Sequence, residues 1–436
     1  MKHFRTDITS FVSYWRSLLT VLFAVAVFCF WLFKLPFLMT AREQVQLFLW
    51  TTDYLQERLA VPGGLAQYLG EMVVQLFLNP VYGALWYAVL FSAVQWLVWR
   101  LVNNVQCTMH NAQLSISQSL NLSISQYLLS FVPSCILWCL ACCPSIPMTP
   151  IIAILLTLTM MHLLPKRRRI SAGCLMTVVG YWLLGPAVVI MAVYLLFCRR
   201  RDGSFVATRD GSFVATKEPS LLRPVPLILL ALSIVGSSWI APYPLKQIAR
   251  GIDYYWEKTS MGTLDEMEYD MLMRRQRWDE MIELYNRKGS ESLSVYNAVQ
   301  VAMWQQNRIS RQEMLGHINI DQRALSSIPS AFLMSEFSML VGLTNMSQRA
   351  AFEAMEAIPN YNKSVRALQR LVETNVITGN HKVALKYISL LERTTFYRGY
   401  AHKMKALTTD PGRLKDYPGL YQLKEIYERE DDMLFY

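Results

Sequence analysis

Cysteine is absent after residue 200: all eight lie before it, so no disulfide framework holds the C-terminal half together. That absence is compatible with either side of a membrane. Charge is scarce as well. Only 17% of the 436 residues are charged and 53% are hydrophobic, too apolar for an ordinary soluble protein of this length. The chain also lacks a P-loop, a dinucleotide-binding glycine pattern and a Gly-x-Ser-x-Gly elbow. His317, His381 and His402 are scattered and show no metal-ligand spacing.

The charge that is present is unevenly placed. Residues 1–250 carry 19 Lys and Arg against 8 Asp and Glu, whereas residues 251–436 carry 23 against 24. The basic excess comes in blocks, Lys166-Arg167-Arg168-Arg169 and Arg199-Arg200-Arg201, beside apolar runs. Nucleic-acid binding wants a basic face on a soluble domain, so a nucleic-acid partner is not expected. Basic blocks that flank apolar runs follow the positive-inside rule.

A helical span takes roughly 20 mostly apolar residues. Six segments meet or approach this, near 18–39, 81–102, 127–143, 149–164, 174–198 and 225–242. The first follows Arg5 and Arg16, as a signal peptide would. It is too long for a typical h-region and lacks a small-residue cleavage site, so it reads as a retained span with the N-terminus inside. "PSIPM" makes a tight hairpin of the third and fourth. In the fifth, "GYWLLGPAVV" places Gly180, Gly185 and Pro186 near the centre. A single crossing there would leave Arg199 to Arg201 outside, against the rule. A re-entrant segment keeps both basic blocks inside and puts the C-terminal half outside.

The C-terminal half changes period. "RWDEMIELYNRK", "SQRAAFEAMEAIPN" and "NHKVALKYISLLE" carry apolar residues at three- and four-residue intervals, the pattern of amphipathic helices. Trp278 and His381 hold comparable starting places, close to three units of a 34-residue repeat apart, and Ala351 and Ala384 are separated by nearly one unit. This spacing is similar to tetratricopeptide repeats, stacked helix pairs with a concave surface for extended ligands; an irregular helical bundle is the alternative. The expected architecture is therefore all-α: a polytopic transmembrane domain, 1–246, followed by a TPR-like α-solenoid, 247–436. The tandem octamer "RDGSFVATRDGSFVAT" and the doubled "LSISQ" read as duplications tolerated in exposed loops.

Between the first two runs lies a segment that is not hydrocarbon-like. Thr40-Ala41-Arg42-Glu43 has the form of a capping box, which predicts a helix from near Ala41 with Val45, Phe48, Leu49, Leu55 and Leu59 as its apolar residues. Pro62-Gly63-Gly64 breaks it. A second helix then presents Gln67, Glu71, Gln75 and Asn79 every four residues, opposite an apolar side. Such a pair, 41–79, is expected to lie in the membrane interface, facing outside.

"REQVQLFLWTTDYLQERLAVPGGLAQYLGE" and, downstream, "AFEAMEAIPNYNKSVRALQRLVETNVITGN" resemble a family of bacterial multi-spanning membrane proteins that end in a helical, repeat-like region. The resemblance implies an envelope membrane protein of the cytoplasmic membrane. It implies no activity and supplies no catalytic residues.

Two functional readings follow. In the first, the helical repeats bind a partner protein or an envelope polymer such as a polysaccharide, and the spans bind the lipid bilayer. In the second, the protein is a membrane enzyme that resembles glycosyltransferases using lipid-linked sugars. Asp53 would then be base or metal ligand, Glu57 would stand one turn later, and Arg42 or Arg58 would meet a lipid phosphate, with Gln67 and Glu71 on the substrate side. Against it, Asp53, Glu57 and Arg58 are equally the solvated face of an amphipathic helix. Cys135, Cys139 and Cys142 at helical spacing, with Cys143 beside them and Met160, Met161 and His162 on the next span, could hold Cu(I), but small residues packing between helices explain the same pattern. No metal is assigned, and no cofactor is specified. Finally, Tyr254, Tyr255 and Trp256 follow the last span closely enough to settle at the headgroup level and seat the first repeat on the interface.

Overall fold

A computed structural model describes residues 2–106, 124–164, 169–197, 205–207, 213–215, 224–240, 262–319, 325–358 and 363–429. The fold class is all-α. In chain order the first helices are α1 (Lys2–Phe33), α2 (Pro36–Gln44), α3 (Thr52–Leu59), α4 (Gly64–Val74), α5 (Pro80–Gln106), α6 (Phe131–Ala141), α7 (Thr149–Leu163), α8 (Arg169–Leu184), α9 (Val189–Phe197) and α10 (Val225–Ile240). After them come α11 (Leu264–Arg274), α12 (Trp278–Lys288), α13 (Leu293–Gln305), α14 (Arg311–His317), α15 (Ile328–Val341), α16 (Thr344–Glu356), α17 (Val365–Ile377), α18 (His381–Leu391), α19 (Arg398–Thr409) and α20 (Pro418–Arg429). The only strands among the described residues form a hairpin of β1 (Phe205–Ala207) and β2 (Phe213–Ala215). Its strands are the two copies of the octamer, paired antiparallel with Val206 opposite Val214.

Two compact units divide the chain, and they interleave. The first comprises Met1–Trp31, Leu55–Gly70 and Ala84–Trp256; the second comprises Leu32–Tyr54, Glu71–Gly83 and Glu257–Tyr436. Residues 32–54 and 71–83, from the stretch between the first two long apolar helices, cluster with the C-terminal helices. The linker residues Lys246, Tyr254, Tyr255 and Trp256, the "LSISQ" repeats up to Ser123 and most of both basic blocks lie outside the described residues.

Among the described residues, four segments are long and apolar enough to cross a membrane: Tyr14–Phe33, Pro80–Asn103, Ile124–Ala141 and Ser171–Leu196. Their apolar side chains are not all turned inward. Val21, Leu22 and Val25 on α1, Leu85 and Val89 on α5 and Leu175 on α8 are exposed, as lipid-facing residues would be. Helices α1 and α5 run antiparallel. The Arg16 guanidinium lies 5.4 Å from the centre of the Trp99 ring, and Trp31 stacks on Tyr87 with ring centres 4.0 Å apart.

The fourth segment doubles back. A Cβ at Gly173 would fall 2.4 Å from Leu195 Cδ1, and one at Gly180 would fall 3.2 Å from Val188 Cγ2. A straight helix would hold positions 173 and 195 roughly 33 Å apart. The reversal is made by a 3₁₀ turn, Gly185–Val188, in which Gly185 takes φ +73° and Pro186 ends the hydrogen-bond ladder of α8. The same region holds the Pro-Gly-Gly turn. Gly63 N–H donates to the Trp182 carbonyl at 2.8 Å, and Trp182 Nε1–H donates to the Leu59 carbonyl at 3.0 Å. Gly64 is required there, since a Cβ would sit 1.8 Å from the Arg58 carbonyl oxygen.

In the second unit, neighbouring helices pack in sequence: α12 on α13, α15 on α16, α16 on α17, α17 on α18 and α18 on α19. Trp278 and His381 do open helices, and Ala351 and Ala384 are fully buried between them. Capping explains several starts. Thr263 and Glu266 form a reciprocal box at α11, and Ser327 caps α15 while donating to the same Glu266 at 2.9 Å. Two helix ends thus share one carboxylate. Gly342, left-handed at φ +98°, ends α15 and turns the chain into α16, where Ser335 and Ser347 bond each other's backbone carbonyls at 3.0 and 2.7 Å.

Candidate functional site

The site is built in the second unit by a strap from the N-terminal region. Pro36 at the first helical position starts α2, five residues earlier than the Thr40 box suggests. Thr40 lies inside that helix and donates back to the Pro36 carbonyl at 3.0 Å, so it caps nothing. The expected single helix from Ala41 to Leu59 is likewise corrected: α2 ends at Gln44, residues 46–51 are not helical, and α3 begins at Thr52. The helix ends because its last residues are claimed elsewhere. Leu47 is buried in a core with Val365, Leu368, Val372 and Leu391. The Gln44 carbonyl accepts from Ser364 Oγ at 2.6 Å, and the same hydroxyl accepts the Ala367 N–H at 3.0 Å, capping α17. One serine therefore starts a helix and ties down the strap.

Around this strap runs a buried ionic network. Arg366 donates to Gln44 Oε1 at 2.9 Å, to Asp270 at 2.6 Å and to Glu336 at 3.3 Å, with Phe332 stacked 4.6 Å from its guanidinium carbon. Arg370, one turn on, donates to Glu336 at 2.8 Å and to Glu373 at 3.0 Å. Tyr400 donates to Glu373 at 3.2 Å. Burial alone would raise the Glu336 carboxyl, but Arg370, Arg366 and Arg274 outweigh it and hold it down at about 2. Glu373 moves the other way. Burial lifts it, and Arg370 only partly offsets the lift.

Glu43 stands at the edge of this network, 4% exposed. It accepts a hydrogen bond from Tyr397 at 2.5 Å, and burial raises its pKa to about 7, against the opposing effects of Tyr397 and the Arg274 charge. Beside it opens a small recess of about 10 Å³, lined among others by Glu43, Gln46, Phe48, Glu71, Gln75 and Tyr397. Glu71, also 4% exposed, accepts from Tyr54 at 2.5 Å. Two carboxylates from different elements thus face one recess, each held by a tyrosine hydroxyl. A buried carboxyl that titrates near neutrality can exchange a proton with a bound group.

The residues singled out in the sequence fall into two sets. Glu71 and Arg42 are buried in the second unit, and Glu71 lines the recess. Gln67 and Arg58 are buried in the first unit. Asp53 and Glu57 are exposed on α3, and Arg58 Nη1 comes only to 4.0 Å from Glu57. Cys135, Cys139 and Cys143 are exposed on or just past α6, and among the described residues no group of three or more His, Cys, Asp or Glu is placed to hold a metal. Sequence reasoning did not find Glu43, Tyr397, Arg366 or Glu336. One signal was available: Glu336 is the sole charge in the fourteen-residue apolar helix α15, and a lone carboxylate there demands a buried partner.

Fold and site describe an all-α protein with apolar helical segments of membrane-spanning length and a helical unit built around a buried ionic network. The chain belongs to the family of unknown function DUF6057, which it matches over residues 11–436. No curated protein and no solved structure matches it.

Proposed function

We propose that this is a multi-pass protein of the bacterial cytoplasmic membrane that presents a TPR-like helical domain on the outer side, where it binds a partner protein or an envelope polymer. The observation that carries this reading is the composition of the second unit. The residues that follow the first span, Leu32–Tyr54, and those that precede the second, Glu71–Gly83, pack with the C-terminal helices. That shared unit supports a reading in which the C-terminal helices and the loop joining those spans face the same side. At the opposite ends of the same two helices stand Arg16 and Arg100, which the positive-inside rule puts in the cytoplasm. The fold-back at Gly185 supports the same orientation, because it returns the chain toward the end where Arg169 begins α8 and lets both basic blocks stay inside.

The successive packing of α12 to α14 and of α15 to α19 supports a repeat-like binding surface. The alternative, a glycosyltransferase-like enzyme centred on Asp53, gains no support from the geometry, since Asp53 is exposed and does not line the recess. Photo-crosslinking from the exposed Lys382 on α18, in cells carrying the full chain, tests the proposal. A single envelope component joined reproducibly there is the expected result. Crosslinks to cytoplasmic components, or turnover of a lipid-linked sugar that depends on Asp53, would overturn it.

A further inference from the structure

We propose that Arg100, Trp96 and His162 form a binding site for the phosphate of an anionic phospholipid. The inference rests on the membrane reading above. Arg100 is exposed near the end of the candidate span Pro80–Asn103. Its guanidinium carbon lies 4.1 Å from the centre of the Trp96 ring, so one face of the group is covered. Its Nη1–H donates to His162 Nε2 at 3.3 Å, reaching from α5 to the end of α7. The group is thus held in one place by two helices rather than waving at the surface. No carboxylate among the described residues pairs with it, and its other N–H groups have no protein acceptor there.

A guanidinium at the edge of hydrocarbon needs an acceptor. At that depth a lipid phosphate supplies two oxygens that match the guanidinium fork. Trp96, 42% exposed, flanks the group as aromatic residues do at the headgroup level. A second cation, Arg16, lies over Trp99 and Tyr127 at the same end of the bundle, 5.4 and 5.7 Å from their ring centres. A fixed guanidinium with no carboxylate partner among the described residues favours a headgroup of net negative charge over a zwitterion.

The test uses the full chain in detergent, titrated with phosphatidylglycerol, with phosphatidylcholine of the same acyl chains and with inorganic phosphate, and read by native mass spectrometry. Phosphatidylglycerol should be retained about tenfold more than phosphatidylcholine, whose choline ammonium offsets the phosphate charge that the guanidinium pairs with. Arg100→Gln should reduce that preference to none. Arg100→Lys, which keeps the charge and loses the fork, should fall between. Equal retention of the two lipids, an unchanged preference in Arg100→Gln, or displacement of the lipid by millimolar phosphate overturns the site. Release of the protein from membranes by an alkaline wash would sink the membrane reading itself, whereas a protein that stays in the membrane without lipid preference sinks this site alone.

Discussion

The Tyr397 hydroxyl donates to the Glu43 carboxylate at 2.5 Å across 354 positions of sequence. It fastens the end of α2, which follows the first span by two residues, to the segment just before α19. The strap thereby ties the start of the second unit to its C-terminal helices.

The pair makes stability depend on pH. Burial raises Glu43 from its ordinary value of 4.5 to about 7 in the folded protein. Its contribution is full below about pH 4.5 and is lost as pH rises through about 7, because the unfolded chain ionises first. The loss is on the order of 3 kcal/mol. Thermal unfolding of the full chain should shift to lower temperature between pH 5 and pH 8. Glu43→Gln, which still accepts from Tyr397 and cannot ionise, should flatten that part of the profile. A wild-type melting temperature that does not change over this window would refute the assignment.

Arg366 serves Gln44, Asp270 and Glu336 at once. Arg366→Met leaves buried carboxylates without their partner and should cost about 3–5 kcal/mol. Arg366→Lys should restore little, because an ammonium cannot span the three acceptors as a planar fork does. Chemical denaturation at pH 7 checks both. Because the folded Glu336 carboxyl is held at about 2, its contribution is present above about pH 4.5 and fades as pH falls through 2.

Gly342 couples a backbone requirement to a packing one. Its φ is +98°, and a Cβ there would lie 2.7 Å from Ile426 Cγ2 on α20. Gly342→Ala should destabilise by about 1–3 kcal/mol and expose α20 to protease. Adding Ile426→Ala should recover the packing share only, leaving the backbone strain as a residual loss of about 1 kcal/mol.

The fold-back of α8 and α9 is open to covalent proof. With the native cysteines replaced, Gly173→Cys and Leu195→Cys should form a disulfide under mild oxidation in membranes. Their failure to do so, while a control pair on α1 and α5 crosslinks, would mean that the segment runs straight.

Much of this architecture was legible in the sequence where one periodicity ruled. Apolar length marked the four helical segments long enough to span, and three- and four-residue spacing placed helices that begin at Trp278 and His381. Gly185 and Pro186 announced the reversal because both break a helix for local reasons. The strap was misread because its conformation is decided by partners 320 or more positions away: Ser364 on the Gln44 carbonyl and Tyr397 on Glu43. Local capping rules made Thr40 and Glu43 a box, and tertiary bonds took Glu43 for another purpose. Asp53 and Glu57 drew notice as charges in an apolar context, yet exposed charges need no partner. The residues that carry the site, Glu43, Arg366 and Glu336, looked like ordinary charges on amphipathic helices, and only the packing of α2, α11, α15 and α17 brings them together.

The central proposal is that the C-terminal helices and the loop between the first two apolar helices face the outer side of the membrane, while Arg16 and Arg100 face the cytoplasm. Single cysteines at the exposed positions Asp53, Lys382 and Asn103, introduced into the full chain after its eight native cysteines are replaced, test it most directly. A membrane-impermeant maleimide applied to intact spheroplasts should label Asp53→Cys and Lys382→Cys and reach Asn103→Cys only after permeabilisation. Labelling of Asp53→Cys without Lys382→Cys, or the reverse, would contradict the account.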